Sequence, residues 1–514
     1  MFLDVPGGKS LTIEIENEQE LRPLVIDLAV ALEPGDVVGL SGGLGAGKTT
    51  FARTLIRYLA SDPQLETPSP TFNLVQQYDL PRFPLYHADL YRLSDPGEVV
   101  EMGLDDLPDD AVLLIEWPER APQILPADRW EISFKLKYRK KPEARELVVT
   151  GYGTYAARLE RLVAGRKFLE ENSFGNVRRE RLAGDASSRS YERLITESSE
   201  FILMNSPRRP DGPPVKDGKP YSAIAHLAED ITPFLAMAKG LRSRGFSAPE
   251  IFAADIADGF IVLEDLGRDS IVTGNPPAPV RARYEAAMHV LIALHKQILT
   301  DLLPVAPHVN YRLPAYDMDA FLIEAELLLD WYLPFRHKLV SEDARTEFTT
   351  LWRSALRPAT DALETWVLRD YHSPNLLWLP DRRGIACLGV LDFQDAVLGP
   401  AAYDLASLLQ DARIDIPETW ETELLRVYLR ARNIDDQNFD TDHFTLLYST
   451  MAAQRATKIL GIFARLNRRD HKPQYLRHLP RVWNYLQRSL GHPALTQLDA
   501  WYKTHVPAPE PSSK

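Results

Sequence analysis

Gly42-Gly43-Leu44-Gly45-Ala46-Gly47-Lys48-Thr49 is the stretch that decides the fold of the first third of this chain. It matches the phosphate-binding pattern G-x-x-x-x-G-K-[ST] at every fixed position. The segment Asp36-Val37-Val38-Gly39-Leu40 before it predicts a short buried strand, and Phe51, Leu55 and Leu59 recur every four residues after it, which predicts a helix. A strand, a glycine-rich turn and a helix start aim backbone N–H groups at phosphate oxygens. The stretch therefore predicts a nucleotide site.

The types of side chain in this loop suggest a role for each. Glycines let the backbone approach phosphates closely and adopt positive φ. Lys48 is expected to reach the β- and γ-phosphates, and the Thr49 hydroxyl is expected to hold Mg²⁺. A glycine-rich turn before a helix, without a nucleotide, is the alternative. The predicted ATP-binding residues of the loop are Gly42, Gly45, Gly47, Lys48, Thr49 and Thr50.

Length and charge limit the other classes of function. A chain of 514 residues is too long for one ordinary core, so two or three domains are expected. The net charge of −13 argues against a large nonspecific nucleic-acid surface, so any role in RNA chemistry is expected to work through a partner. There is no apolar run of membrane-spanning length and no signal-peptide pattern. With a single cysteine, Cys387, these features predict a cytoplasmic protein and a buried structural thiol.

Changes in pattern along the chain predict two domains and a tail. Residues 1–152 mix short strands and helices around the phosphate-binding loop, and the Gly151–Thr154 segment is a plausible break. Residues 153–506 begin with a charged helix and strand-like pieces and become mostly helical beyond Arg281. Residues 507–514 are predicted to be a disordered tail.

Two carboxylates downstream of the loop fit nucleotide chemistry. Asp89 lies beside aromatic residues, and Glu116 ends an apolar strand. A carboxylate at a strand end near phosphates can hold Mg²⁺ or orient the attacking water. A surface carboxylate is the alternative for Asp89, whereas Glu116 directly follows five apolar residues and needs a partner. The Pro-fixed segment Ser69–Phe72 adds two hydroxyls suited to a switch-like loop.

From residue 20 to about 150 the chain resembles the TsaE family of small ATPases in tRNA threonylcarbamoyladenosine synthesis. The resemblance rests on the loop, Ser69–Phe72, Asp89–Leu93, Met102–Leu104 and Ile115–Pro118, in that family's order. It implies an α/β P-loop NTPase domain whose ATP hydrolysis is coupled to two partner proteins, TsaB and TsaD. It further implies Mg²⁺ contacts from Thr49 and Asp89 and a catalytic or switching role for Glu116.

A second motif, Leu368–Asn375, carries the spacing R-D-x-x-x-x-N of a kinase catalytic loop. Asp370 is expected to accept the proton of the attacking hydroxyl, and Asn375 to hold a metal ion. Asp392 follows an apolar strand seventeen residues later and fits the second metal-binding position. The alternative is a helix-capping Asp370 and a turn Asp392, each common alone.

From about 170 to 490 the chain resembles the aminoglycoside phosphotransferase-like kinases, and within them the AmgK-type anomeric kinases of cell-wall recycling. The resemblance implies an α+β bilobal protein-kinase-like domain. It also implies transfer of phosphate from ATP to the anomeric hydroxyl of N-acetylmuramate or N-acetylglucosamine. The segments that carry it are Asp392–Asp404, Gly184–Tyr191, Ile202–Met204, Leu263–Gly267, Gln454–Leu466 and Arg469–Lys472.

The phosphate grip of this second domain departs from kinases in general. The strand Phe201–Met204 has no lysine where kinases place one, and Arg189 is the candidate substitute. Ser187 and Ser188 are candidate donors to the ATP phosphates, with a plain polar hairpin as the alternative. Two other functions stay open. The domain could phosphorylate an antibiotic or another sugar or alcohol, or it could be a noncatalytic pseudokinase that binds a partner.

Recognition of the sugar is less evident from the sequence. N-acetylmuramate carries a lactyl carboxylate, and arginine suits bidentate carboxylate recognition. Arg455 and Arg465, ten residues apart on one predicted helix, are candidate substrate-binding residues. Surface or structural ion pairing is the slightly favoured alternative for each.

Overall fold

The structure of the protein is a computed structural model that describes residues 2–70, 74–93, 95, 97–104, 106–137, 141, 143–182, 189–209, 212–362 and 365–510. The chain forms two compact units, Met1–Asn205 and Ser206–Lys514.

A mixed eight-stranded sheet forms the centre of the first unit. Its strands are β1 (Phe2–Val5), β2 (Gly8–Ile15), β3 (Val37–Gly42), β4 (Val75–Asp79), β5 (Pro84–Asp89), β6 (Val112–Glu116), β7 (Arg129–Leu136) and β8 (Arg145–Tyr152). Their order is β1-β2-β8-β7-β3-β6-β5-β4. Strand β3 runs parallel to β7 and β6, and β5 runs parallel to β6. The carboxyl ends of β3, β5 and β6 therefore lie at one edge of the sheet, where α/β proteins bind ligands.

Four helices belong to this unit: α1 (Arg22–Ala31), α2 (Lys48–Leu59), α3 (Glu98–Glu101) and α4 (Tyr155–Glu171). The predicted helix after the loop is confirmed by α2. Phe51 and Leu55 are fully buried in a core with Val38, Leu40 and Leu114 of the sheet. Burial of this face fixes the direction of α2 and hence the position of the loop at its start.

Asp36, directly before β3, is a buried carboxylate that ties α4 to the sheet. Its oxygens accept hydrogen bonds from the Tyr155 hydroxyl at 2.6 Å and from two nitrogens of Arg158 at 2.9 and 2.6 Å. A buried carboxylate needs such donors to offset its lost hydration. Because β3 leads into the phosphate-binding loop, these bonds from α4 also help to fix the strand that positions the loop.

Three strands after α4 form an antiparallel meander, β9 (Arg178–Leu182), β10 (Ser190–Ile195) and β11 (Glu200–Asn205). The sequence predicted the second and third of them but not β9. Asp27 on α1 accepts from Arg166 of α4 and from Arg179 of β9, the latter at 2.6 Å. Arg179 also donates to Glu192 of β10 at 2.6 Å. Since these buried charges join the meander to α1 and α4, the first compact unit extends beyond the predicted division at residue 152.

The second unit combines short hairpins with many helices, as the pattern beyond Arg281 predicts. Its strands are β12 (Pro214–Lys216), β13 (Lys219–Pro220), β14 (Ile251–Asp255), β15 (Phe260–Glu264), β16 (Val272–Thr273), β17 (Ala278–Pro279), β18 (Leu302–Ala306), β19 (Val309–Arg312), β20 (Thr365–Val367), β21 (Leu376–Trp378), β22 (Leu388–Val390) and β23 (Val397–Gly399). Its helices are α5 (Tyr221–Ile224), α6 (Thr232–Arg242), α7 (Arg281–His295), α8 (Met318–Leu327), α9 (Leu333–Phe335), α10 (Glu342–Asp361), α11 (Ala402–Leu409), α12 (Glu418–Asp435), α13 (Thr441–Asp470), α14 (Leu479–Leu490) and α15 (Thr496–His505).

Two strand pairs hold the segment that carries the second motif. Strand β20 pairs with β23, and β21 pairs with β22. The loop 368–375 therefore connects β20 to β21, and residues 391–396 connect β22 to β23. The amide of Leu391 donates to the carbonyl of Asn375 at 2.9 Å. This bond brings the residue before Asp392 against the end of the predicted catalytic loop.

One sequence prediction needs correction here. Cys387 ends a 3₁₀ turn and is only partly buried, so the prediction of a buried structural thiol is wrong. In the predicted disordered tail, Pro507 accepts a hydrogen bond from the Tyr332 hydroxyl at 2.9 Å, and Glu510 pairs with Arg336 at 2.8 Å. Residues 511–514 of that tail lie outside the described residues. Within the described ranges no helix combines the length and the apolar character needed to cross a membrane.

We expect Phe51→Ala to lower the midpoint of thermal unfolding of the first unit, because truncating a fully buried aromatic side chain costs about 3–5 kcal/mol. Differential scanning calorimetry of the full chain measures this. Leu3→Ala is the control, since Leu3 is exposed. Equal midpoints for the two variants would contradict the assignment of α2 to the core.

Candidate active sites

The backbone of the phosphate-binding loop has the conformation that glycine permits. Gly42 has φ 135°, and a Cβ at this position would lie 2.5 Å from the carbonyl oxygen of Phe134. Gly45 and Gly47 also have positive φ, at 73° and 110°. Such values are rarely adopted by residues with side chains. The loop is therefore shaped by its own glycines and by the neighbouring strand β7.

The Lys48 side chain is folded over this loop. Its Nζ donates to the carbonyl oxygens of Gly42 at 2.7 Å and Gly43 at 3.0 Å, and it lies 3.6 Å from the ring centroid of Trp117. Burial lowers the pKa of Lys48, while Glu116 and nearby carboxylates act in the opposite direction. A phosphate placed in the loop would offer this ammonium a stronger acceptor than the carbonyl groups do.

The two predicted carboxylates lie at the same sheet edge as the loop. Asp89 and Glu116 are register partners on β5 and β6, with 4% and 1% of their surfaces exposed. The Thr49 hydroxyl donates to Glu116 at 2.8 Å, and His87 Nε2 lies 3.0 Å from its other oxygen. Ser69 donates to Asp89 at 2.9 Å. The structure thus brings Thr49, Asp89 and Glu116 together, and the alternative of a surface Asp89 is wrong.

One cleft is lined by these groups and by Trp117, to which the sequence gave no role and which contacts Lys48. The buried His87, also without a predicted role, contacts Glu116. Thr71 and Phe72 lie outside the described residues. The cleft is lined by Leu44, Gly45, Ala46, Gly47, Lys48, Thr49, Thr50, Ser69, Asp89, Tyr91, Arg92, Glu116 and Trp117.

In the second unit the predicted catalytic loop presents Asp370 toward solvent. Its side chain is 42% exposed, and the side-chain amide of Asn375 donates to the backbone carbonyl of Asp370 at 3.0 Å. Asp392 has φ 56° and accepts from Gln394 at 2.8 Å. Asp370 lies in the β20–β21 connection before a 3₁₀ turn that starts at Ser373, so its alternative as a helix cap is wrong.

Two buried carboxylates after β23 fix this loop by its backbone. Asp404 accepts from the amides of Leu368 at 2.7 Å and Arg369 at 2.9 Å. Asp411 accepts from the amide of Ser373 at 2.9 Å. The sequence indicated Asp404 only as the end of the family segment Asp392–Asp404, and it gave no role to Asp411. Their signal was a carboxylate within the apolar helix α11 (Asp404) or shortly after its end (Asp411), which requires donors from elsewhere in the fold.

The charge around Asp370 favours its ionised form. Burial by itself raises the pKa of Asp370, but the positive charges around it, including those of Lys458 and Arg455, outweigh burial and hold that pKa below its usual range. Burial lowers the pKa of His372 to about 4. A general base must be deprotonated before it can accept a proton. Asp370 therefore meets the electrostatic requirement for its predicted role.

The remaining predicted residues are placed as follows. Arg189 directly precedes β10 in the first unit, and Ser187 and Ser188 lie outside the described residues. Arg455 is 6% exposed on α13, with its Nη2 3.5 Å from His372 Nδ1, so it is not a surface ion pair. Arg465 lies with its guanidinium 5.3 Å from the centre of the Tyr221 ring. The two arginines thus contact different neighbours.

Two family profiles match this chain, one in its N-terminal part and one in its C-terminal part. The profile described as threonylcarbamoyl adenosine biosynthesis protein TsaE matches residues 15–146. The profile described as phosphotransferase enzyme family matches residues 178–440, more than half of the chain. The chain belongs to the phosphotransferase enzyme family. Its N-terminal part is a TsaE domain, so the α/β P-loop domain and the kinase-like domain predicted from the sequence are confirmed.

Individual relatives agree with this division. An N-acetylmuramate/N-acetylglucosamine kinase of Caulobacter vibrioides is 38% identical over 361 residues, covering 68% of this chain and 97% of that protein. A protein of the same name from Pseudomonas aeruginosa is 32% identical, covering 62% of this chain and 85% of that protein. A tRNA threonylcarbamoyladenosine biosynthesis protein TsaE of Rickettsia bellii is 40% identical over 122 residues, covering 24% of this chain and 84% of that protein.

Asp404 generates a prediction about pH. Burial raises the pKa of Asp404 to about 7 in the folded protein, against 3.8 for an ordinary aspartate. A raised pKa in the folded state stabilises the fold below pH 4 and loses that contribution as the pH rises through 7. We expect Asp404→Asn to flatten the fall in thermal midpoint between pH 4 and 8. Asp361→Asn, which changes an exposed carboxylate, should keep the wild-type profile. A wild-type profile in Asp404→Asn would rule out this titration.

Proposed function

We propose that the protein is a bifunctional enzyme. The TsaE domain hydrolyses ATP in support of N6-threonylcarbamoyl modification of tRNA adenosine. The phosphotransferase domain moves the γ-phosphate of ATP to the anomeric hydroxyl of N-acetylmuramate or N-acetylglucosamine. The observation that carries the second activity is Asp370, which is exposed to solvent, favoured in its ionised form and fixed by a loop whose backbone is held by Asp404 and Asp411.

In the TsaE domain the loop amides and Lys48 bind the phosphates, and Thr49 and Asp89 hold Mg²⁺. Hydroxyl and carboxylate oxygens are the ligands that Mg²⁺ prefers, and it takes only one or two from protein when phosphates supply others. This fits the described residues, among which no group of three or more His, Cys, Asp or Glu is arranged to bind a metal alone. Bound Mg²⁺ neutralises phosphate charge. Glu116, one hydrogen bond from Thr49, is placed to orient the attacking water or to switch with the nucleotide.

In the phosphotransferase domain Asp370 accepts the proton from the anomeric hydroxyl as that oxygen attacks the γ-phosphorus. The product is a sugar 1-phosphate. Asn375 and Asp392 hold Mg²⁺, again with oxygen donors that suit this ion. Arg189, with Ser187 and Ser188, binds the ATP phosphates in place of the strand lysine.

The partners follow from the TsaE domain. We propose that it acts on TsaB- and TsaD-like proteins and reaches RNA through them, in keeping with the net charge of −13. We place both reactions in the cytoplasm, where a chain with a single cysteine needs no disulfide.

We expect Asp370→Asn to lower sugar-kinase turnover by a factor of roughly 10² or more, because the general base is lost. Full-length protein, ATP and Mg²⁺ are incubated with N-acetylmuramate or N-acetylglucosamine, and the sugar 1-phosphate is read by mass. Asp361→Asn is the matched control because Asp361 is exposed at the end of α10. Full turnover in Asp370→Asn removes Asp370 from its role. A wild type that phosphorylates neither sugar favours another acceptor, or a noncatalytic binding role.

We expect Lys48→Ala to abolish ATP hydrolysis and support of tRNA modification but to leave sugar phosphorylation intact, because Lys48 contacts only the loop cleft of the first unit. Rescue of a strain depleted of its own TsaE reports the first activity, and the mass assay reports the second. Arg53→Ala on the exposed face of α2 is the control. Equal loss of both activities in folded Lys48→Ala protein would refute independent sites.

A further inference from the structure

The first strand of the phosphotransferase segment, β9, is held at its open edge by a helix of the TsaE domain. β9 is the outermost strand of its sheet and pairs with β10. The hydroxyl of Tyr58, in the last turn of α2, donates to the carbonyl oxygen of Arg179 and accepts from its amide at 3.0 Å. An outermost strand has backbone groups that no neighbouring strand satisfies. Tyr58 therefore satisfies both backbone groups of one residue at that edge.

The side chains of β9 add contacts with the same domain. Arg179 is 8% exposed and pairs with Asp27 of α1 at 2.6 Å. Arg181 donates to a backbone carbonyl of α1 at 3.2 Å, and Arg178 donates to the hydroxyl of Ser61, just after α2, at 3.3 Å. Losing one partner of a buried ion pair is strongly destabilising. The strand is thus fixed along its length, by contacts from three of its five residues.

The fixed strand leads directly into the proposed phosphate grip of the kinase. β10 pairs with β9 up to Leu182, the last residue of β9. In sequence, Ser187 and Ser188 lie between the two strands, and Arg189 directly precedes β10. Leu182 is three residues beyond Arg179, or about 10 Å at the rise of a strand. The start of the connection that carries the grip residues is therefore close to the anchored part of β9.

We propose that Tyr58 is a positioning residue of the sugar-kinase reaction, which holds the edge of β9 and thereby the loop that grips the ATP phosphates. The inference rests on the proposed kinase function and deepens it, because it gives one helix of the TsaE domain a part in both reactions. The first turn of α2 belongs to the ATPase loop, and the last turn supports the kinase. Since the two roles use opposite ends of the helix, loss of Lys48 leaves the support in place.

The test is a KM comparison on the full chain. Tyr58→Phe removes the hydroxyl and keeps the ring, which packs against the core of the first unit. Formation of sugar 1-phosphate is followed by mass, so the readout reports the kinase reaction alone, while ATP and the sugar are varied in turn. We expect KM for ATP to rise about three- to tenfold, as for one or two lost hydrogen bonds, and KM for the sugar to change less than about twofold.

Tyr78→Phe is the matched control. Tyr78 is buried in the same domain, and among the residues that the structure describes its hydroxyl has no hydrogen-bond partner. This variant should keep the wild-type KM for ATP. Arg181→Gln loosens β9 from α1 at a second point and should raise KM for ATP as well, so it decides the matter if Tyr58→Phe does not fold.

An unchanged KM for ATP in folded Tyr58→Phe protein would overturn the inference. Equal rises in KM for ATP and for the sugar would also overturn it, since they would indicate a general loss of kinase structure. An equal rise in Tyr78→Phe would do the same. A wild type that phosphorylates neither sugar counts against the proposed kinase function itself, whereas an active wild type with an unaffected Tyr58→Phe variant counts against the positioning role alone.

Discussion

A carboxylate that is wholly removed from water must be surrounded by donors, and in the second unit this constraint falls on Glu324 of α8. Glu324 pairs with Arg369, with Lys458 at 2.7 Å and with the Tyr316 hydroxyl. Burial alone would raise the pKa of Glu324, but the two cations outweigh it and keep that pKa below its usual range. These contacts join α8, α13 and the 368–375 loop into one arrangement.

Arg369 links the buried Glu324 to the predicted catalytic residue Asp370. Its backbone has φ 67°, a left-handed conformation that a side chain of this size adopts only where its surroundings hold it. The guanidinium is held by Glu324 and by the carbonyl of Ala225, and the amide by Asp404. Asp370 is the next residue, so its direction follows from charges that never touch a substrate. Breaking one partner of such a buried pair is far more damaging than losing a surface ion pair.

The features of the fold that could be predicted from the sequence depend on residues close together in the chain. Those that could not be predicted depend on contacts between residues far apart in the chain. The glycines, Lys48 and Thr49 act within one turn, so spacing alone placed them. The apolar four-residue repeat of Phe51 and Leu55 likewise reports the buried face of α2. In contrast, the contact of Arg455 with His372 joins residues that are 83 positions apart along the chain.

The periodicity of apolar residues predicts a helix and its buried face, but it does not predict which loop packs against that face. A surface ion pair was therefore a reasonable alternative for Arg455, and it was wrong. The same limit applies to Cys387, whose apolar neighbours suggested burial although a 3₁₀ turn brings it partly to the surface. Asp411 was missed for the same reason, since one of its two donors is the amide of Ser373, 38 residues earlier in the chain.

The ion cluster of Asp27, Arg179 and Glu192 joins residues from the two family segments of the chain. Tyr58, in the last turn of the helix that starts at the phosphate loop, also exchanges hydrogen bonds with the backbone of Arg179. If the gene were split between its two family segments, Asp27 would remain on one product and Arg179, with Glu192, on the other. The first product would then carry a carboxylate that had lost one of its buried cations. This ion pair therefore opposes separation of the two segments.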